Sequence, residues 1–178
     1  MQLSDVKFRD DISKLLISMD AKQVCEVGVL RGAGLKRLSV PCVETVYGVD
    51  QWAPYGENSN YDLVKCYEQA RKVAAKLGNI QLVTAPSIGA SEIFSDGFFD
   101  LVYVDANHFY EPMCDDLRSW WPKVRVGGVF SGHDYVEKSR FGDEFGVMQA
   151  VDEFVIEHNL KLYTTQDKWT SWLVLKES

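Results

Sequence analysis

The sequence lacks the features that define several other classes of protein. Its four cysteines form no Cys-x-x-Cys pair, so Cys25, Cys42, Cys66 and Cys114 are expected to be free, mostly buried thiols in a reducing compartment. No apolar run is long enough to span a membrane. The N-terminal stretch MQLSDVKFRDD is charged and has no apolar signal-peptide segment, which predicts a cytoplasmic protein.

Basic charge is also scarce. The 178 residues include 19 Lys and Arg but 26 Asp and Glu, which gives a net charge of -7. This balance argues against nonspecific nucleic-acid binding through a basic face. The sequence has no internal repeat, low-complexity segment or interior linker, so residues 1–178 are expected to form one domain. The oligomeric state stays open, with a homodimer as one possibility.

The stretch VCEVGVLRGAG, residues 24–34, predicts a strand, a Gly-rich turn and the start of a helix. Gly28 and Gly32 permit a sharp turn and a close approach of a ligand, and the peptide N–H groups favour a negative ligand group. The dinucleotide pattern GxGxxG is missing, and Glu26 beside the turn would repel a pyrophosphate. The site therefore suits a ligand with an ammonium and a carboxylate. The alternative is a Gly-rich turn without a ligand.

Hydrophobic patterning predicts alternating strands and helices along the rest of the chain. Strands are predicted at residues 23–27, 45–49, 80–83, 99–104 and 129–131, followed by a hairpin of residues 161–165 and 169–175. Helices are predicted at residues 5–19, after the Gly turn, and at 61–77, 87–94, 112–121 and 147–158. This order indicates an α/β, Rossmann-like fold: a seven-stranded, mostly parallel sheet with helices on both faces and a C-terminal antiparallel hairpin.

Polar residues collect where the predicted strands end. Glu26, Asp50 and Asp105 lie in or directly after three of the strands, and His133 and Asp134 follow the fifth. Parallel sheets bind ligands beyond the carboxyl ends of their strands. The sequence therefore predicts a ligand site at that edge.

With these residues in view, the chain resembles the class I S-adenosylmethionine-dependent methyltransferases. The ExGxxxG of Glu26, Gly28 and Gly32 resembles their first motif, and Asp50 matches their ribose-binding acid. The stretches DLVYVDANHFYE, WWPKVRVGGVFSGHDY and GVMQAVDEF more narrowly resemble a bacterial branch with Asp-Gly-Asp-His and Gly-His-Asp-Tyr motifs. That branch is similar to metal-dependent O-methyltransferases of sugars and other small hydroxylated molecules. The resemblance covers residues 23–175.

The resemblance implies S-adenosylmethionine as the cofactor. Its expected contacts are Glu26, Gly28, Gly32, Asp50, Gln51, Trp52, Ser87 and Asp105. Asp50 would accept both ribose hydroxyls, and Glu26 would meet the methionyl ammonium. Trp52 is expected to stack on the adenine or to wall the substrate pocket, and packing in the core is the alternative. Ser87 occupies the position that reads the adenine edge, where many relatives have an acid that this chain lacks.

The resemblance also implies a catalytic arrangement. Asp105, His133 and Asp134 are predicted to hold a divalent cation such as Mg or Mn, and His108 is predicted to be the general base. Two positions depart from the pattern. Asn107 replaces an acid of the sugar-type relatives, and His133 replaces an acid of the metal-dependent ones. The alternative for either histidine is a hydrogen-bonded structural role.

Two loops, residues 53–60 and 135–146, are predicted to leave the same edge and form a lid. The second contains aromatic and basic residues, which suit an anionic, sugar or aromatic acceptor: Tyr135, Lys138, Arg140, Phe141 and Phe145. The predicted function is O-methylation of a small hydroxylated molecule, with no nucleic acid or membrane as partner. A nonenzymatic cofactor-binding protein is the alternative. A nicotinamide-dependent oxidoreductase is disfavoured because GxGxxG is missing.

Overall fold

The computed structural model describes residues 1–55, 58–137 and 145–177, which form a three-layer α/β fold. The strands are β1 Gln23–Val27, β2 Thr45–Asp50, β3 Ile80–Thr84, β4 Phe99–Val104, β5 Val124–Gly132, β6 Tyr163–Thr164 and β7 Trp172–Leu175. The helices are α1 Asp11–Ser18, α2 Leu35–Leu38, α3 Leu63–Leu77, α4 Ser87–Ser91, α5 Tyr110–Trp120 and α6 Val147–Glu157. No helix in these ranges is long and apolar enough to cross a membrane.

The seven strands form one sheet in the order β3-β2-β1-β4-β5-β7-β6. The first five are parallel, and β7 runs antiparallel to both β5 and β6. This arrangement confirms the predicted fold class, including the C-terminal hairpin. Because Val27 lies opposite both Val49 and Val104, the strands β1, β2 and β4 end level with one another. The residues that follow them are therefore neighbours at one edge.

The central strand β4 is buried along its whole length. Val102 and Val104 pack into one core, and Leu101 and Tyr103 pack into the other, on the opposite face of the sheet. This alternation is the two-residue period of a strand that is covered by helices on both sides. The described cysteines are free, and two of them, Cys25 and Cys66, are buried.

The N-terminal helix is shorter than the predicted range of residues 5–19. A 3-10 turn occupies Leu3–Asp5, and α1 begins only at Asp11. The Asp11 carboxylate accepts hydrogen bonds from the backbone N–H groups of Lys7, at 3.1 Å, and Phe8, at 2.9 Å. Lys7 also accepts a hydrogen bond from the Gln166 N–H through its carbonyl, at 2.7 Å. The segment before α1 is therefore held against the β6–β7 turn instead of continuing the helix.

The fifth strand is longer than the predicted residues 129–131. It starts at Val124, and its register against β4 shifts between Phe99 and Leu101. Gly127 accommodates the irregularity with φ +75°. A glycine at this point of a strand marks a bulge. Because Gly127 and Gly128 interrupt the apolar pattern, the pattern predicted only the strand residues that follow them.

Candidate functional site

The loop after β1 lies directly across the end of β4. Gly28 adopts φ +92°, and a Cβ atom at this position would come within 1.9 Å of the Asp105 carbonyl oxygen. Gly32 adopts φ +79°, which also disfavours a side chain. The Gly28 N–H donates to the Val49 carbonyl at 2.8 Å. The glycines of the predicted motif are therefore needed to bring this loop against the strand ends.

Asp50 organises the same loop. One carboxylate oxygen accepts hydrogen bonds from the N–H groups of Val29, at 3.0 Å, and Leu30, at 2.8 Å. The other accepts from the Trp52 N–H at 2.8 Å. A carboxylate offers about four acceptor positions. Asp50 thus uses most of its acceptor positions for backbone N–H groups and keeps about one for a ligand hydroxyl.

Glu26 lies beneath the Gly loop and is 2% exposed. A Cβ on Gly34 would stand 1.6 Å from Glu26 Oε1, so the carboxyl group packs directly against this glycine. Glu26 Oε2 has no hydrogen-bond partner among the described residues. Burial, aided by the charge of Asp105, raises the pKa of Glu26 well above its usual value. A cationic ligand group would satisfy this buried oxygen, so the geometry fits a methionyl ammonium.

Trp52 and Gln51 face different surroundings. The Trp52 indole N–H donates to the Leu30 carbonyl at 2.8 Å, and its ring centroid lies 4.7 Å from that of Tyr67. Trp52 lines neither of the two cavities described below, whereas Gln51 lines the smaller one. Trp52 therefore supports the Gly loop in this structure.

Two adjoining cavities open at the carboxyl edge of the sheet, with volumes of about 340 and 880 Å³. Gly28, Asp50, Tyr55 and Ala106 line both. The smaller cavity extends toward α4 and α5, and the larger extends toward the N-terminal segment and the end of β5. The two cavities together form a bent site across the strand ends.

Acidic groups from α5 enter the smaller cavity beside Ser87. The Ser87 hydroxyl donates to the Asp116 carboxylate and accepts from the Trp120 indole N–H at 2.8 Å. Burial raises the pKa of Asp116 to about 6, a shift that the Ser87 hydrogen bond opposes. Asp115 lines the same cavity. Acids near Ser87 therefore come from α5, a helix distant in sequence.

The larger cavity brings together four predicted catalytic residues. His108 Nε2 lies 3.0 Å from one oxygen of Asp134 and 3.5 Å from Asp105 Oδ1. His133 Nδ1 lies 3.1 Å from the other oxygen of Asp134 and 3.7 Å from Asp105 Oδ1. The His108 ring also stacks on Phe145, with centroids 4.7 Å apart. Both histidines therefore contact the same two carboxylates.

A metal ion would find a different ligand set from the predicted one. Asp105, His108 and Asp134 each offer one ligand atom, and these atoms lie within 4.8 Å of one another. The structure groups His108 with the two acids, whereas Nε2 of His133 lies 2.7 Å from Arg9 Nη1. Two oxygens and one imidazole nitrogen suit Mn or a similar transition metal, and they fit Mg less well.

Charge in this cluster is set by its histidines. Burial alone would raise the pKa of Asp105, but the hydrogen bonds from His108 and His133 outweigh it and hold this pKa well below its usual value. Burial lowers the pKa of His133, but the two carboxylates outweigh it and raise this pKa to about 9. Arg9 acts in the opposite direction. Its guanidinium can only donate, so a hydrogen bond to Nε2 of His133 requires the neutral imidazole and opposes the raised pKa.

Sequence motifs mark only some of the residues that line the larger cavity. Arg9 and Trp169 line it although nothing in their local sequence marks them, and Arg31 lines it from an unspecified position of the Gly-rich motif. The predicted lid lies partly outside the described residues: Lys138, Arg140 and Phe141 fall there, as do positions 56 and 57 of the other loop. Phe145 lines the larger cavity. The Tyr135 hydroxyl donates to Asp152 at 2.5 Å, and Tyr135 lines neither cavity.

The fold and this edge site define the class of protein. A family model described as a methyltransferase domain matches residues 25–135, more than half of the chain. The chain therefore belongs to this methyltransferase family, which confirms the predicted S-adenosylmethionine-dependent class. Comparison with curated protein sequences finds no match.

Solved structures with the same fold include several methyltransferases. Cofactor-bound Rv0187 from MTB is 19% identical, with a TM-score of 0.74 over 95% of this chain and 79% of that one. A putative caffeoyl-CoA O-methyltransferase from Staphylococcus aureus is 12% identical, with a TM-score of 0.72 over 96% and 86%. An O-methyltransferase from Bacillus cereus in complex with SAH is 16% identical, with a TM-score of 0.67 over 94% and 80%. At these identities the likeness establishes the fold.

Proposed function

We propose that this methyltransferase transfers the methyl group of S-adenosylmethionine to a hydroxyl oxygen of a small molecule. The observation that carries the proposal is the His108–Asp134 contact of 3.0 Å, which places a carboxylate-oriented imidazole in the cavity that Glu26 also lines. A hydroxyl is a poor nucleophile at neutral pH and needs a group that takes its proton. The neighbours named as O-methyltransferases support the same chemistry.

The cofactor spans the two cavities. Its adenosine portion lies in the smaller cavity near Gln51 and Ser87, and its methionyl portion lies near Glu26 in the larger one. Glu26 Oε2, buried without a partner among the described residues, receives the ammonium group. Asp50 contributes its remaining acceptor position to the ribose. The neighbours described as cofactor-bound and as complexed with SAH support the choice of cofactor.

His108 takes the acceptor proton. Asp134 accepts a hydrogen bond from its ring and stabilises the imidazolium that forms, and Phe145 restricts the ring plane. The sulfonium of the cofactor is already activated, so alignment and proton removal are what the protein supplies.

A divalent cation is the second mechanistic candidate. Asp105, His108 and Asp134 would hold it, and the ion would lower the pKa of the acceptor hydroxyl. In that arrangement His108 is a ligand and no longer the base. Exhaustive chelation separates the two: activity that survives it supports the histidine base, and activity that is lost and restored by Mn supports the cation.

Calorimetry tests the cofactor assignment. Both S-adenosylmethionine and S-adenosylhomocysteine should bind. Asp50→Ala should weaken their binding free energy by about 1.5–3 kcal/mol, because hydrogen bonds to a charged group are lost. Tight binding of NAD in place of either ligand would contradict the proposal.

A panel of hydroxylated acceptors then tests turnover. His108→Ala should lower it roughly a hundredfold or more and leave cofactor affinity nearly unchanged. Cofactor binding without turnover on any acceptor would favour a nonenzymatic binding protein.

A further inference from the structure

We propose that Arg9 and Arg31 bind an oxyanion of the methyl acceptor, so that the acceptor is a hydroxylated acid bearing a carboxylate or phosphate. This inference rests on the proposed function, because it assigns the larger cavity to the acceptor. Arg9 lies outside residues 25–135, the range of the family match.

Backbone hydrogen bonds of its own segment place Arg9 at the cavity. Its N–H donates to the Asp167 carboxylate at 2.6 Å, and the preceding segment bonds to Gln166 through the Lys7 carbonyl at 2.7 Å. The guanidinium then reaches across the edge of the sheet to His133 Nε2, at 2.7 Å. That contact occupies one of five N–H donors, and the fork that remains matches a carboxylate or phosphate.

Several cations outside the cavity pair with acidic side chains of the protein. Each of the following cations pairs with an aspartate within 3.5 Å: Lys14, Lys22, Arg37, Arg118, Lys123 and Arg125. Among the described residues, neither Arg9 nor Arg31 pairs with a carboxylate. In a chain with a net charge of -7, acidic partners are plentiful. Both arginines line the larger cavity, so an oxyanion bound there can take their N–H donors.

The position of Arg9 favours the acceptor as the source of that charge. Its guanidinium touches His133, which in turn contacts Asp134, the partner of the proposed base. An oxyanion held by the free donors of Arg9 therefore lies beside the group that takes the acceptor proton. Arg31 adds a second cation from the Gly loop, where its guanidinium lies 5.4 Å from the Tyr61 ring centroid. The cofactor's own α-carboxylate is the competing source.

The experiment compares the variants Arg9→Met and Arg31→Met with Arg71→Met as the matched control. Arg71 stacks over Tyr67 at 5.9 Å and lines neither cavity. The first arm measures calorimetric Kd values for S-adenosylhomocysteine and for methylthioadenosine, which has no α-carboxylate. Both Kd values should stay within about twofold of wild type in every variant, since no cofactor contact is removed.

The second arm uses protein saturated with S-adenosylhomocysteine. Salicylate, salicylamide and inorganic phosphate are titrated while the arginine side-chain N–H resonances are recorded. Salicylate and phosphate should shift the Arg9 signal, and each cavity variant should weaken salicylate binding about tenfold, as expected for a lost charged hydrogen bond. Salicylamide binding should not change. Arg9→Lys should weaken salicylate less than Arg9→Met because it keeps the charge but loses the fork.

The outcomes separate the sources. A loss of S-adenosylhomocysteine affinity in Arg9→Met with unchanged methylthioadenosine affinity would assign Arg9 to the cofactor and overturn the proposal. Equal binding of salicylate and salicylamide, or no anion binding at roughly 10 mM, would also overturn it. Failure of wild-type protein to bind S-adenosylhomocysteine at all would instead contradict the proposed function. A cooperative thermal unfolding transition is required of each variant, to check that it is folded.

Discussion

The strand β4 has a buried aspartate, Asp100, near its beginning and a partly exposed one, Asp105, just beyond its end, and the two have different surroundings. Asp100 accepts hydrogen bonds from the N–H groups of Lys22, at 2.7 Å, and Gln23, at 2.8 Å, and from Arg125 Nε at 2.7 Å. Burial alone would raise the pKa of Asp100, but these three donors outweigh it and lower the pKa. Among the residues that the structure describes, the Asp105 carboxylate contacts only the two imidazoles, at 3.5 and 3.7 Å.

The same contrast extends to the two edges of the sheet. At the amino edge, Lys176 Nζ donates to the carbonyls of Trp121, at 2.9 Å, and Val124, at 2.8 Å. At the carboxyl edge, Asp50 also accepts hydrogen bonds from the backbone, but a second group of side chains contacts one another: Asp105, His108, His133 and Asp134. Glu26 Oε2 has no partner among the described residues. Groups bonded to the backbone hold the fold. Groups bonded to other side chains keep capacity for a ligand and carry perturbed pKa values, as functional sites do.

The largest effect is expected from a substitution at the carboxyl end of β4. Asp105→Asn should lower turnover roughly a hundredfold or more, because it removes a charge from the cluster that positions His108. The free energy of unfolding should fall by no more than about 2 kcal/mol, because the lowered pKa of Asp105 makes its charge stabilising, while no described backbone N–H bonds to the carboxylate. Turnover and urea unfolding of the same preparation measure both quantities. Turnover per folded molecule that stayed near wild type would contradict the contrast.

The opposite substitution, Asp100→Asn, should lower the free energy of unfolding by about 2 kcal/mol, because the amide weakens two backbone hydrogen bonds and removes the Arg125 ion pair. Turnover per folded molecule should stay near wild type. Because the pKa of Asp100 is lowered in the folded state, its contribution is present above about pH 4 and lost as the pH falls further. The free energies of unfolding of wild type and Asp100→Asn, measured as the pH is lowered, should thus converge below about pH 4.

A smaller effect is expected at Asp116, whose pKa is raised to about 6 in the folded state. The folded protein then binds more protons than the unfolded chain, so this group costs stability as the pH rises from about 4 to 6. Asp116→Asn should be roughly 1–2 kcal/mol more stable than wild type at about pH 8 and similar at pH 4. Equal pH dependence of both proteins would show that Asp116 ionises normally.

The smallest effect sharpens the comparison. Asp96 pairs with Lys123 at 2.7 Å but is 73% exposed. Asp96→Asn should leave the unfolding midpoint unchanged within error, because solvent screens exposed ion pairs. A loss of stability as large as that of Asp100→Asn would mean that the charge of an aspartate, and not its burial with backbone partners, decides how much it stabilises the fold.

Much of the fold follows from local sequence patterns. Apolar β4 predicted a strand buried on both faces, and the Gly turn predicted the first strand–loop–helix unit. The parallel register then places Gly28, Asp50 and Asp105 at one edge, because Val27 pairs with both Val49 and Val104. The predicted helix start at residue 5 was wrong, since tertiary bonds to the β6–β7 turn hold that segment.

The sequence by itself determined which strand-end and Gly-turn residues reach the carboxyl edge, because strand ends and glycine turns are local properties of the chain. Only the tertiary structure decided what those groups touch. It turned Nε2 of His133 toward Arg9, paired His108 with Asp134, and brought Asp116 of α5 to Ser87. These partners are far apart in the chain. Their choice depends on how helices and loops pack over the sheet, and no spacing within one segment records that packing.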